Sequence, residues 1–219
     1  MIPTVSAYTW VPPMAQGFVK DLRIRWALEE AGIPYEIKLV AMKEAKAPAY
    51  RRWQPFGQVP AYEDDAGMLF ESGAIVLDIA ARSEALAPRD AAGRRRITAW
   101  GIAALNSVEP FVQNYLRFDD DGDAAKSEKR RQHVQSVLNL RLESLVNWLG
   151  AEAYLEAGRF TAADLMMAMV LRELMDSAAL DPYPTLKAYL DRCLARPAFT
   201  RSLEAQLQVF REHTPAAAG

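Results

Sequence analysis

Gln54-Pro55-Phe56-Gly57-Gln58-Val59-Pro60 and, one short hairpin later, Phe70-Glu71-Ser72-Gly73 set the frame for the whole chain. Pro60 stands inside an apolar, strand-like run. A proline cannot donate to a sheet ladder and is normally kept out of strand interiors. A cis peptide bond, almost confined to X-Pro, is one way to place it there. At Val59-Pro60 such a bond turns the Val59 backbone outward, where it can pair with an extended ligand. Glu71 and Ser72 open a helix-like run, so Ser72 falls at a helix N-terminus. Free N–H groups and the helix dipole attract a carboxylate there. The two features together predict a site for a small anionic peptide.

Around this pair the pattern is regular. Thr4 to Trp10 is β-branched and aromatic and reads as a strand. Pro12, Pro13 and Gly17 make 11–20 a loop. Asp21 to Ala31 reads as a helix stopped by Gly32 and Pro34. Tyr35, Ile37 and Leu39 alternate with Glu36 and Lys38 as a second strand. After a short helix over Lys43 to Arg52, Val59 to Glu63 and Met68 to Phe70 form a hairpin across Asp64-Asp65-Ala66-Gly67. A helix over Ser72 to Ala81 closes the unit. The order β-α-β then β-β-α predicts a thioredoxin-like domain over residues 1–83.

Beyond a linker over 84–93 the pattern is helical from 94 to 212: Ile97 to Tyr115, Lys129 to Leu149, Ala162 to Ala178, Thr185 to Arg196 and Phe199 to Phe210. Residues 213–219 read as a disordered tail. Thr161-Ala162-Ala163-Asp164 is a capping box, flanked by Phe160 and Leu165 as a hydrophobic staple. The following run to Leu171 is apolar nearly all round, which predicts a buried, central helix.

Composition removes several function classes. Twenty-six basic against 28 acidic residues, net −2, give no electrostatic case for nucleic acid. No apolar run is long enough to span a membrane, and the N-terminus lacks the basic and apolar regions of a signal peptide. One cysteine, Cys193, suits a reducing compartment and reads as a small buried hydrophobe. His133 and His213 stand far apart, and in Asp119-Asp120-Asp121-Gly122-Asp123 the glycine is misplaced for a calcium loop, so no metal is expected. A cytoplasmic, globular protein follows.

Arg23-Ile24-Arg25-Trp26-Ala27-Leu28-Glu29-Glu30-Ala31-Gly32-Ile33-Pro34-Tyr35, the two opening motifs, and Gly158-Arg159-Phe160-Thr161-Ala162-Ala163-Asp164-Leu165 occur in the order found in one family. Through them the chain resembles the cytosolic glutathione S-transferases of bacterial type. The resemblance implies an α/β thioredoxin-like N-terminal domain, an all-α helical-bundle C-terminal domain and a homodimer. It implies glutathione as cosubstrate. Val59 would pair by its backbone with the cysteinyl part, held by Pro60; Glu71 would meet the γ-glutamyl ammonium and Ser72 its carboxylate. Gln58, ahead of Arg51, Arg52 and Gln54, would meet the glycyl carboxylate.

The family activates the glutathione thiol with a Tyr, Ser or Cys after the first strand. A free thiol has a pKa of about 8.5 and is mostly protonated at neutral pH; a hydroxyl donated to sulfur stabilises the nucleophilic thiolate. The loop 11–20 holds no Ser, Cys, Thr or Tyr, which leaves Tyr8, Thr9 and Ser6 in or at the end of the strand, with Tyr8 as first candidate and Thr9 as second. Trp10, Met14 and Tyr115, with Pro12, Phe18, Phe111 and Phe118, could line an apolar pocket for a small hydrophobic electrophile. The function implied is conjugation of glutathione to that electrophile in detoxification. Peroxide or disulfide reduction on the same site, and a non-catalytic glutathione-binding regulator, are the alternatives.

Overall fold

The computed structural model describes residues 1–117 and 124–215, apart from the side chains of 124–127. Phe118, the Asp119–Asp123 run and residues 216–219 of the expected tail lie outside the described residues. Two compact units emerge, one of residues 1–86 with 195–219 and the other of 87–194.

The first unit carries a four-stranded sheet in the order β2-β1-β3-β4, formed by β1 (Thr4–Tyr8), β2 (Glu36–Val40), β3 (Ala61–Asp64) and β4 (Gly67–Phe70). β1 runs parallel to β2 and antiparallel to β3. The β-α-β and β-β-α halves are completed by α1 (Asp21–Ala31) and α3 (Ser72–Ala81), which pack on one another. This is the thioredoxin-like arrangement. Strand ends differ slightly from the sequence reading: Thr9, Trp10, Val59 and Pro60 lie outside the strands, and the expected helix over 43–52 is a 3-10 turn (Glu44–Lys46) followed by α2 (Pro48–Arg51). Pro48 at the first position of α2 lacks the N–H that a longer helix would need there.

The last helix, α9 (Pro197–Glu212), groups with this unit rather than with the helical one in which the sequence placed it. It is fastened to α1. Arg196 grips Glu30 with two bonds of 2.6 and 2.7 Å, Arg201 meets Glu29 at 2.7 Å, and the Phe199 ring sits edge-on to Trp26 at 4.9 Å. Gln206 donates to Asp21 at 2.7 Å, and Asp21 in turn holds Arg25 at 2.8 Å inside the protein. Burial pushes the Asp21 carboxyl up, against the pull of Arg25. Removing one partner of such a buried pair leaves an uncompensated charge, at a cost of about 3–5 kcal/mol. His213 and Thr214, read as tail, instead close the end of α9 by bonds to Val209 and Phe210 carbonyls.

The second unit is helical: α4 (Ala91–Ala103), α5 (Glu109–Leu116), α6 (Ala124–Leu149), α7 (Ala162–Leu171) and α8 (Pro184–Leu194). The expected single helix over 97–115 contains a π turn at Ala104–Val108, just before Pro110. A proline there cannot continue the regular bond ladder. Every residue of α7 is buried, and α7 packs on α4, α5 and α8. The helix expected to run to Ala178 ends at Leu171 and passes into a 3-10 turn. Cys193 is buried, as expected, and His133 is exposed.

Candidate functional site

The register of the β3–β4 hairpin brings the two opening motifs side by side. Ala61 faces Phe70, so Val59-Pro60, entering β3, lies next to Glu71-Ser72, leaving β4. The Val59-Pro60 bond is cis. Tyr8, at the end of β1, packs half-buried against the cluster of Val40, Ala45, Tyr50, Trp53, Val59 and Ala61. Burial pushes its phenol up, while a hydrogen bond from the Val59 N–H pulls the other way. Tyr8 thus stays protonated at neutral pH.

The loop before Pro60 is held by side chains, of which Tyr50 was given no role by the sequence. Tyr50 donates to the Gln58 carbonyl at 2.8 Å and shares a 2.7 Å bond with Ser6, whose oxygen accepts from the Ala61 N–H at 2.7 Å. Gln54, a candidate for the glycyl carboxylate, is buried, and its carbonyl oxygen accepts from the N–H groups of Phe56 and Gln58 at 2.8 and 3.2 Å. These bonds staple the loop. Gly57 has φ +65, and a Cβ there would fall 2.6 Å from the Ala45 carbonyl oxygen, so the turn requires glycine. Gln58 keeps an exposed side chain. The exposed Lys46 donates to the Gly57 carbonyl at 2.9 Å and adds a cation the sequence gave no reason to choose.

At the other motif, Glu71 is exposed and held at φ +69, rare for a residue with a side chain. Ser72 is the first residue of α3, and no side chain among the described residues caps this helix. Its leading N–H groups therefore remain open to an anion. Arg23, from α1, donates to the Ser72 hydroxyl at 3.3 Å.

The remaining candidates are dispersed. Thr9 donates its N–H to the Val40 carbonyl at 3.1 Å. The Trp10 indole N–H is buried without a hydrogen-bond partner, whereas Met14 is 89% exposed. In the second unit Tyr115 lines a cleft of about 310 Å³ with Leu116, Arg131, Val134 and Gln135. Phe111 instead borders a small cavity with His133 and Val137 and lies under the Arg141 guanidinium. Among the described residues no group of three or more His, Cys, Asp or Glu could hold a metal, and no helix is long and apolar enough to cross a membrane.

A thioredoxin-like unit with a cis-proline turn beside an open helix N-terminus, followed by an all-helical unit, defines a fold shared with known proteins. Residues 15–80 match the family model of the glutathione S-transferase N-terminal domain, and 107–205 match that of the C-terminal domain. The chain is 30% identical to glutathione S-transferase F11 of Arabidopsis thaliana, over 83% of this chain and 91% of the relative. It is 28% identical to glutathione S-transferase 3 of Schizosaccharomyces pombe, over 82% and 81%. A solved glutathione transferase family member from Pseudomonas fluorescens, with two glutathione bound, superposes with a TM-score of 0.77 at 23% identity over 92% of each chain. The chain belongs to the glutathione S-transferase family.

Proposed function

We propose that this chain binds glutathione in its first unit and adds the thiolate to a small hydrophobic electrophile. The observation that carries the reading is the juxtaposition set by the Ala61–Phe70 register. It sets the Val59-Pro60 turn beside the start of α3, which supports a site for one extended peptide. Val59 pairs with the cysteinyl main chain, with Pro60 fixing the turn. Ser72 and the open α3 N-terminus take the γ-glutamyl carboxylate, and Glu71 takes its ammonium. Gln58 and Lys46 flank the glycyl carboxylate.

Tyr8 is the activator in this scheme. Its phenol packs beside Val59 and burial keeps it protonated, which suits donation to the sulfur of a cysteinyl group lying along Val59. Thr9 has its N–H tied to Val40 and ranks second. Trp10 and Met14 are the groups of the first unit assigned to the electrophile. Support for a homodimer comes from the exposed Phe56, Met68 and Phe70 (62, 59 and 37%), the two phenylalanines in edge contact at 6.2 Å. A burial-prone patch of this kind is characteristic of an interface. A single buried cysteine suits a cytoplasmic setting.

Calorimetry with glutathione and turnover of a halo-arene test the proposal. Binding with turnover is expected. Absence of binding overturns it, and binding with turnover of a hydroperoxide alone assigns the reductive chemistry instead. Tyr8→Phe should lower kcat/KM about 100-fold, as for loss of one preorganised donor. It should also move the rising limb of the pH–rate profile to higher pH, because the thiol loses the group that lowers its pKa. An unmoved profile would remove Tyr8 from the role. Light scattering of the purified chain reads the dimer.

A further inference from the structure

We infer that Arg23 is a positioning residue for the γ-glutamyl carboxylate, acting through Ser72. This deepens the glutathione reading and rests on it. Arg23 projects from α1 and is 1% exposed, behind Ser72, which is 8% exposed. Its Nη1 donates to the Ser72 hydroxyl oxygen at 3.3 Å. A guanidinium has donors only, and a serine hydroxyl has one proton and two lone pairs. The bond therefore consumes a lone pair and leaves the proton for another acceptor. Among the described residues nothing accepts it. A hydroxyl already engaged by a cation is polarised as a donor, and here it stands at the open end of α3.

The arrangement selects an anion over a neutral group at this position. A serine free to rotate could accept from a ligand amide as readily as it donates to a carboxylate. With Arg23 behind it, the hydroxyl presents its proton, in line with the N–H groups of the helix end. The buried guanidinium also adds positive charge to the dipole, with little screening by salt.

The test uses the full chain and two ligands, S-hexylglutathione and S-hexyl-cysteinylglycine, which lacks the γ-glutamyl group. Arg23→Met should weaken the first about 10-fold or more, the scale of a charge-assisted hydrogen bond, and leave the second within about 2-fold. On a Ser72→Ala background, Arg23→Met should cost less than about 3-fold, because residues acting as a unit are non-additive. Equal weakening of both ligands, or effects that multiply in the double variant, would overturn the role in favour of a purely structural one. If Arg23→Met does not fold, Arg23→Lys serves: it keeps the charge but loses the planar fork, and should weaken S-hexylglutathione alone. A wild-type chain that binds neither ligand overturns the glutathione reading itself, a result distinct from failure of the Arg23 role.

Discussion

Two helix starts in this protein use similar residues to opposite ends. At α7, Thr161 and Asp164 satisfy one another: the Asp164 carboxylate accepts from the Thr161 N–H at 2.9 Å, and the Thr161 oxygen accepts from the Ala163 N–H at 3.3 Å. Asp164 also receives the Leu155 N–H and the Tyr189 hydroxyl, at 2.9 and 3.0 Å. That helix end is closed. At α3 the N-cap is Glu71, which turns to solvent and caps nothing, and Ser72 is the first helical residue. The nearest side-chain bond comes from a cation in another helix. A helix N-terminus is a structural joint when its N–H groups are answered from within, and a receptor when they are left for a ligand.

That contrast can be broken by substitution. The largest effect is expected at Asp164→Ala, which orphans the buried Leu155 and Thr161 N–H groups and the Tyr189 hydroxyl; unfolding in urea should show a loss of about 3–5 kcal/mol. Ser72→Ala should do the reverse. Glutathione affinity should fall about 10-fold or more by calorimetry, while stability moves by less than about 1 kcal/mol. Comparable losses of stability at both sites would erase the distinction. Thr161→Ala removes the cap bond from the Ala163 N–H and the hydroxyl's bond to Asp164 and should cost about 1–2 kcal/mol, with glutathione binding unchanged.

The smallest effect is one of pH. Burial pushes the Asp164 carboxyl above the ordinary range despite its hydrogen bonds. A group with a raised folded pKa contributes stability that is present below its unfolded value, about 3.9, and is lost as pH rises through the folded value. Wild type should therefore gain stability relative to Asp164→Asn as pH is lowered from neutrality toward about 4. A gain on raising the pH would mean that the hydrogen bonds outweigh burial.

The legible parts were those encoded by neighbours in sequence. Asp21–Ala31 and Ser72–Ala81 were readable to the residue because glycine, proline and the motif Glu71-Ser72 punctuate them. The Thr161 box was readable because its members stand three residues apart. The partners that complete each site were not. Arg23 reaches Ser72 across 49 positions, and Ser6 reaches Tyr50 across 44. Gln54 looked like a ligand group because its burial depends on how the loop folds over it. Nothing in the sequence singled out Arg196, Arg201 or Gln206. Their acceptors on α1 lie 166 to 185 positions away, a separation that no local pattern records.

That last separation bears on how the chain is made. Residues 87–194 form a unit inserted between two pieces of the other. During synthesis the helical insert can be complete while α1 still waits for α9. Trp26, Asp21 and Glu30 lack their α9 partners until that helix has been made. The first unit, although its strands are encoded first, closes only once α9 has been made, after the whole helical insert.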